Sequence, residues 1–255
     1  MGKLDGRVAI ITGGGTGIGR GIALEFANQG ADVAVAGRNI DNIRKVAEEV
    51  AVLGRRSLSI PTDVRVKEQV QNMVKRTIDG LGRIDILVNN AGTVRSELLL
   101  DVTEEAWYIQ LDTNLKSVFL CTQAVAKYMT EQKYGKIINL SSTNGHGWNL
   151  PGLSSYSASK AGVIELTRCY AKELGPYNIN VNAIAPGVVI TDMFYTGKTP
   201  EEVEERLNYH RKASVLGRAG TTEDIAHLAL FLASDDSSFI SGQFVPINGG
   251  RTDFM

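Results

Sequence analysis

Short, almost wholly apolar runs alternate with longer amphipathic stretches along this chain, and no other feature constrains the fold as strongly. Strands buried on both faces have near-continuous apolar sequences, and the helices between them provide the crossovers of a parallel sheet. The apolar runs predict strands at residues 8–12, 32–36, 56–61, 84–88, 135–140, 179–185 and 243–247. The intervening stretches predict helices at residues 20–28, 40–53, 66–80, 104–128, 155–174 and 222–233. We therefore expect the α/β class, with one doubly wound parallel sheet in a single domain over residues 1–255.

The composition excludes several classes of protein. Of the 255 residues, 43% are hydrophobic and 22% are charged, as in soluble globular chains and unlike disordered or fibrous ones. The 27 basic and 28 acidic residues give a net charge of −1, so we expect neither a nucleic acid nor a membrane as a partner. A polar first segment and the absence of about 18 consecutive apolar residues argue against secretion and membrane insertion. Two cysteines are too few for a disulfide framework and fit a reduced, cytoplasmic location.

A glycine-rich turn follows the first predicted strand directly. It reads Thr12-Gly13-Gly14-Gly15-Thr16-Gly17-Ile18-Gly19, and a predicted helix follows it. Glycines let the backbone turn sharply and approach a pyrophosphate, which the amide groups at a helix N-terminus attract. The strict GxGxxG spacing is absent, and so is the lysine of a Walker loop. The turn predicts a dinucleotide site, with a plain tight connection as the alternative.

The residues after the second predicted strand bear on the choice of cofactor. An acidic residue there would bond the free ribose 2′-hydroxyl of NAD and repel a 2′-phosphate, but Gly37 and Arg38 occupy this place. Asp32 lies at the other end of the strand, away from a ligand crevice. A guanidinium suits a phosphate, so Arg38 favours NADP, while NAD stays open and a solvated surface arginine is the alternative.

Tyr156 and Lys160 are four residues apart at the start of a predicted helix. This spacing places them on one helix face, about one turn apart. A neighbouring ammonium stabilises a phenolate, so this tyrosine could exchange a proton with an alcohol or carbonyl oxygen. An ordinary amphipathic helix that carries a Tyr and a Lys is the alternative for the pair alone.

At this point the chain resembles the short-chain dehydrogenase/reductase family over essentially its whole length. The family motifs match, in order, the glycine turn at Thr12 to Gly19, Asp63-Val64, Asn89-Asn90-Ala91-Gly92, Asn114, Ser142, Tyr156-x-x-x-Lys160, and Pro186-Gly187 with Thr191. The resemblance implies a Rossmann-type fold and hydride transfer between a nicotinamide cofactor and a carbonyl or alcohol.

The resemblance also implies roles for individual residues. Tyr156 would be the general acid or base, Ser142 would bond the substrate oxygen, Lys160 would hold the nicotinamide ribose, and Asn114 would anchor a water of the proton relay. No metal is expected, because hydride transfer is the chemistry of the cofactor. Besides Tyr156 and Lys160, the expected cofactor-binding residues are Gly13, Thr16, Gly17, Ile18, Gly19, Arg38, Asp63, Val64, Asn90, Ala91, Gly92, Pro186, Gly187, Val189 and Thr191.

A mostly apolar substrate pocket is expected from the loop at residues 143–155 and from the segment after Pro186. The distance from Ser142 to Tyr156 is one residue longer than the family pattern, which indicates an insertion and keeps Ser141 and Thr143 as alternatives to Ser142. A substrate lid is predicted at about 188–213. The expected substrate contacts are Ser142, Asn144, Trp148, Tyr156, Met193 and Phe194, with lid packing as the alternative for the aromatic and Met side chains.

These features favour an NADP-preferring oxidoreductase that interconverts a ketone and a secondary alcohol, similar to 3-oxoacyl-carrier-protein reductases. The alternatives are an NAD-dependent sugar, polyol or other secondary-alcohol dehydrogenase and, more remotely, a non-catalytic dinucleotide sensor. A carrier protein would need basic surface at the pocket mouth, for which Arg95, Arg168 and Arg211 are candidates.

The resemblance further implies a homotetramer, built partly on the helices of Asn114 and Tyr156 and on the last strand. Cys121 and Cys169 are expected to be buried small hydrophobes. His210 and His227 are expected to be helix residues without partners, and the charged stretch at 201–212 to be a solvated surface helix.

Overall fold

The computed structural model describes residues 2–147, 150–195, 197 and 199–251. Its strands are β1 (Val8–Thr12), β2 (Asp32–Gly37), β3 (Ser57–Pro61), β4 (Ile86–Asn89), β5 (Gly135–Leu140), β6 (Ile179–Pro186) and β7 (Phe244–Ile247). Over the described residues these seven strands form one parallel sheet, in the order β3-β2-β1-β4-β5-β6-β7.

Helices cover both faces of the sheet. They are α1 (Gly17–Asn28), α2 (Ile40–Val52), α3 (Lys67–Leu81), α4 (Glu104–Leu111), α5 (Ser117–Gln132), α6 (Ser154–Leu174), α7 (Asp192–Tyr195), α8 (Pro200–Ala213) and α9 (Thr222–Ala233). Helices α1, α2 and α9 pack on one face and α3, α5 and α6 on the other. Alternate strand residues point to opposite faces, so Ala9 and Ile11 of β1 enter the first core layer, while Val8 and Ile10 enter the second.

The doubly wound parallel sheet predicted from the alternation of apolar runs is confirmed. Its apolar strands are continuous because both faces are covered, and every residue of β1 is buried. Among the described residues, no helix is long and apolar enough to cross a membrane.

Two helices differ from their predicted bounds by more than one residue. The first helix begins at Gly17 rather than Arg20, because the last three residues of the glycine turn are themselves helical. The helix predicted at 104–128 is interrupted by a π-helical turn at Asp112–Lys116 and extends to Gln132. Apolar periodicity does not reveal such a turn, because a π-helical turn adds one residue to the helix without requiring any particular residue type.

The strand order places the functional crevice. The connection after β1 leads to β2 on one side, and the connection after β4 leads to β5 on the other side. The turns after β1 and β4 therefore diverge and leave a crevice outside the carboxyl ends of the strands. The glycine turn follows β1, and the Asn90-Ala91-Gly92 turn follows β4. Both predicted cofactor motifs therefore lie at this topological switch point.

Candidate active site

The glycine turn is bonded to the turn after β4. The Asn90 side-chain amide donates to the carbonyl oxygens of Thr12 and Gly13, at 2.9 and 3.1 Å. The Thr12 hydroxyl accepts from the backbone amides of Asn90 and Ala91, at 3.0 and 3.1 Å. Gly13 has φ +63°, and a Cβ atom there would lie 2.9 Å from the Ala91 Cα. A side chain at this position would separate the two turns, which explains the glycine.

The residues of the turn fit a pyrophosphate. Helix α1 begins at Gly17 with no side-chain capping bond from Thr16 and no acidic residue in its first turn, so its amide groups face outward with no competing anion. A Cβ atom on Gly19 would lie 2.3 Å from the Gly13 carbonyl oxygen, so only glycine allows this close packing. Thr16 is exposed, whereas Ile18 is half-buried and packs against the first core layer.

Two arginines surround the predicted adenosine end of the crevice. Arg38 is exposed directly after β2, and no ion pair to it is present among the described residues. Asp63 follows β3, and the Arg65 guanidinium binds its carboxylate, with Nε–Oδ1 at 2.9 Å. Hydrogen bonding to Arg65 lowers the pKa of Asp63, and the charge of Arg38 lowers it further. The sequence motifs do not point to Arg65, although its position two residues after Asp63 allows the pairing. By contrast, Asp32 lies at the amino end of β2, as its place in the sequence predicts, and there it binds Arg56.

The loop after β5 is held against α6 and presents Ser142. The Ser141 hydroxyl donates to the Lys160 carbonyl oxygen at 2.8 Å, and the Thr143 hydroxyl to that of Pro186 at 3.4 Å. The Ser142 hydroxyl instead donates to the Asn144 Oδ1 at 3.3 Å and lies near enough to the Tyr156 hydroxyl to lower the pKa of that phenol. The geometry thus favours Ser142 over its two neighbours as the hydroxyl that meets a substrate.

Tyr156 and Lys160 lie together on the first turns of α6. The Lys160 ammonium is 5.8 Å from the centre of the Tyr156 ring and donates to the Leu140 carbonyl oxygen at 2.7 Å. Burial lowers the pKa of Lys160 to about 8. Burial raises the pKa of Tyr156, while the nearby Ser142 hydroxyl lowers it. Loss of one proton from this pair therefore requires no extreme pH.

Asn114 lies in the π-helical turn and is fully buried. Its amide donates to the Thr93 carbonyl oxygen at 2.9 Å and to the Ser159 hydroxyl at 3.1 Å, and its oxygen accepts from the Thr93 amide at 2.8 Å. A Cβ atom on Gly92 would lie 3.3 Å from the Asn114 Oδ1 and 3.6 Å from the Lys160 Nζ. Gly92 thus brings the turn after β4 against two of the predicted catalytic residues.

The segment after β6 crosses the crevice towards α1. The Gly187 amide donates to the Ile247 carbonyl oxygen at 3.0 Å. Val189 forms a parallel bridge with Gly220. The Thr191 methyl group would lie 3.3 Å from a Cβ atom on Gly17, so this segment lies over the glycine turn. The predicted cofactor residues from Pro186 to Thr191 therefore line the same crevice as those after β1 and β4.

Apart from Ser142 and Tyr156, the predicted substrate contacts divide into three groups. Asn144 is buried beside Ser142, and its backbone amide donates to the Ser142 hydroxyl at 3.2 Å. Phe194 is buried under α8, with the Arg206 guanidinium 4.9 Å from its ring centre, which is the lid-packing alternative. Trp148 and the side chain of Met193 lie outside the described residues.

Two secondary expectations are wrong, namely that His210 has no partner and that Cys169 is buried. His210 is buried and lies 3.1 Å from Arg251, because α8 turns this one side chain inward from its otherwise exposed surface. Cys169 is exposed on α6, whereas Cys121 is buried as expected, since only the latter faces the sheet.

The two helical arginines proposed for carrier binding have partners within their own helices. Arg168 pairs with Glu165, and Arg211 pairs with Glu204. Arg95 is exposed on the segment before α4. Only Arg95 of the three candidates therefore lacks an acidic partner among the described residues.

Known proteins resemble this chain over almost its whole length. A family model described as Enoyl-(Acyl carrier protein) reductase matches residues 13–252. The chain is 42% identical over 251 residues to the (2S)-[(R)-hydroxy(phenyl)methyl]succinyl-CoA dehydrogenase subunit BbsD of Thauera aromatica, covering 98% of each. It is 42% identical to the 3-oxoacyl-[acyl-carrier-protein] reductase FabG of Thermotoga maritima, covering 97% of this chain and 98% of that one. A crystal structure of a short-chain type dehydrogenase/reductase from Mycobacterium marinum superposes with a TM-score of 0.90 at 40% identity, covering 98% of this chain and 96% of the other.

Proposed function

Because the chain belongs to the short-chain dehydrogenase/reductase family of NAD(P)-dependent oxidoreductases, we propose that it interconverts the ketone and the secondary alcohol of an acyl thioester, with NADP as its preferred cofactor. The observation that carries the reaction is the Ser142–Tyr156–Lys160 cluster, whose Lys160 lies against the turn after β4 that is bonded to the glycine turn. The thioester is supported by the relatives, since one is named for a succinyl-CoA and the other for a 3-oxoacyl carrier protein.

The chain offers a complete set of groups for the cofactor. The outward-facing amides of the first turn of α1 would hold the pyrophosphate, and Lys160 would hold the nicotinamide ribose. Asp63 and Val64 would flank the adenine, and the segment from Pro186 to Thr191 would lie against the nicotinamide. When bound, NADPH supplies the hydride.

The protein itself supplies the proton and holds the oxygen. In reduction, the Ser142 hydroxyl donates a hydrogen bond to the substrate carbonyl oxygen, and Tyr156 transfers its phenolic proton to that oxygen. In oxidation, the Tyr156 oxygen accepts the proton of the substrate hydroxyl. The Lys160 ammonium stabilises the resulting phenolate, because it lies 5.8 Å from the centre of the Tyr156 ring and Lys160 itself is buried.

A substrate comparison tests this function. We expect turnover of acetoacetyl-CoA with NADPH, measured by nicotinamide absorbance, and no comparable rate with sugars or polyols and NAD⁺. Turnover of sugars or polyols alone would replace the proposal with the NAD-linked dehydrogenase. Nucleotide binding without turnover of any carbonyl or alcohol tried would indicate the dinucleotide sensor.

Arg38 is proposed to determine the cofactor preference. Replacing Arg38 with Ala is expected to weaken NADPH binding about tenfold, roughly 1.4 kcal/mol, because the 2′-phosphate loses its guanidinium partner. NADH binding should not change, since NADH has no 2′-phosphate. Fluorescence titration of the reduced nicotinamide measures both affinities. Arg76→Ala removes an exposed arginine from α3 and serves as the control for net charge. Equal affinity of the wild type for NADH and NADPH would contradict the NADP preference.

We also propose a cytoplasmic homotetramer with a substrate lid at about 188–213. Large apolar side chains are exposed before α4, on α5 and before β7: Leu100 is 96% exposed, Phe119 is 40% exposed and Phe239 is fully exposed. Exposed apolar surface of this kind is typical of subunit interfaces. Sedimentation equilibrium should give the mass of four 27.6 kDa chains, and a monomer mass would refute this assembly.

A further inference from the structure

An extended segment at residues 93–97 connects the turn after β4 to α4, and side-chain amides bind its backbone as a neighbouring strand would. Asn114 bonds both the amide and the carbonyl group of Thr93. Gln110 does the same for Arg95: its oxygen accepts from the Arg95 amide at 3.0 Å, and its nitrogen donates to the Arg95 carbonyl oxygen at 3.4 Å. Gln110 and Asn114 are four residues apart in sequence, so this pair of clamps repeats along α4 and the π-helical turn.

The same two amides also reach α6. The Asn114 amide donates to the Ser159 hydroxyl at 3.1 Å, and the Gln110 amide donates to the Ser155 hydroxyl. Ser155 and Ser159 are again four residues apart and lie on one face of α6. All four side chains are at least 98% buried. Each serine immediately precedes a predicted catalytic residue, namely Tyr156 or Lys160.

The Gln110 clamp is distinct from the Asn114 clamp. Asn114 contacts the turn beside Lys160, whereas Gln110 lies one helical turn earlier and bonds Ser155, the residue before Tyr156. Two residues beyond Arg95, the Glu97 amide donates to the Gly152 carbonyl oxygen at 2.9 Å. The clamped segment thus connects the first turn of α6 to the loop that precedes it.

We propose that Gln110 is a positioning residue for Tyr156: its single amide fixes the first turn of α6 relative to segment 93–97 through Ser155 and Arg95. This role rests on the proposed function of Tyr156. Without that amide, the buried hydroxyl of Ser155 and the backbone groups of Arg95 lose their partners. The first turn of α6 then gains freedom, and a small displacement of a proton donor lowers the rate of transfer.

The test replaces Gln110 with Met, which has a similar volume and forms no equivalent hydrogen bonds. We expect kcat to fall about tenfold or more, with KM and the NADPH dissociation constant within about twofold of the wild type. Gln132→Met is the matched control. Gln132 clamps the backbone amide and carbonyl of Ile84 in the same way, at 3.4 and 2.8 Å, but at the amino edge of the sheet. Its loss should lower stability and leave kcat unchanged. An unchanged kcat in Gln110→Met, or an equal fall in both variants, would overturn the proposal.

Ser155 provides a second, smaller perturbation. Ser155→Ala should lower kcat, as Gln110→Met does. Ser155→Thr should retain the wild-type kcat because it keeps the hydroxyl. The double variant that combines Gln110→Met with Ser155→Ala should be no slower than Gln110→Met alone. Fully additive effects of the two substitutions would show that they do not act through one contact.

Hydrogen exchange separates this proposal from the proposed function. In Gln110→Met, amides at residues 93–97 and 154–160 should exchange faster than in the wild type and in Gln132→Met, whether or not a substrate is found. Unchanged exchange in these segments would overturn the clamp. A wild type without turnover on any carbonyl or alcohol would refute the proposed function and leave the exchange result to decide on the clamp.

Discussion

Replacing Tyr156 with Phe is expected to lower kcat about 10³-fold, within the range that general acid–base catalysis contributes. The substitution keeps the ring on the first turn of α6 and removes only the phenolic hydroxyl. The substrate oxygen then has no proton donor in reduction and no acceptor in oxidation. Binding of NADPH should stay within a few-fold of the wild type, because the glycine turn and its bonds to Asn90 are untouched.

Single-turnover absorbance at saturating NADPH measures this loss at the chemical step. Tyr177→Phe, on the exposed turn after α6, is the matched control and should retain full activity. Turnover of Tyr156→Phe close to that of the wild type would show that another group exchanges the proton.

Lys160→Met should lower kcat/KM about 10²-fold or more and change its dependence on pH. Lys160 is 95% buried, and its ammonium lies 5.8 Å from the Tyr156 ring centre. Its removal therefore deprives the phenolate of its nearest positive charge. In the wild type, we expect the Tyr156–Lys160 pair to lose its first proton near pH 8, because burial lowers the pKa of Lys160 to about 8 and the proton that the pair retains can stay on Lys160 while Tyr156 is the phenolate. Oxidation needs the deprotonated pair and should accelerate as pH rises through about 8, whereas reduction should slow over the same interval.

In Lys160→Met, Tyr156 must ionise alone, and burial raises its pKa above the ordinary value of about 10. The inflection for oxidation should therefore move above pH 10. Rate profiles from pH 6 to about 10.5 measure the change. Lys136→Met is the control, because Lys136 is also a buried lysine, bonded to Asn180 at 2.8 Å at the amino edge of β5. An inflection near pH 8 that persists in Lys160→Met would assign this proton to another group.

Most of the candidate site is recognisable from the amino-acid sequence because its motifs are local. Each motif spans only a few consecutive residues, as in the glycine turn, the Tyr156–Lys160 pair and the end of β2. Parallel strands bring their carboxyl ends to one edge, so residues placed after β1, β4, β5 and β6 had to meet there. The role of Ser142 within its run of hydroxyls depended on contacts with α6 and Pro186, which the local sequence does not specify.

The amino-acid sequence by itself determined the element types, the sheet and the motifs at its carboxyl edge, because apolar periodicity and glycine placement act over a few residues. Only the tertiary structure decided the π-helical turn around Asn114, the pairing of Asp63 with Arg65, and the inward turn of His210. It also decided the clamp from Gln110 to Ser155, whose partners are 45 residues apart in the chain. The physical reason is that a buried polar side chain takes whatever partner packing brings to it, and packing joins segments that no local pattern relates.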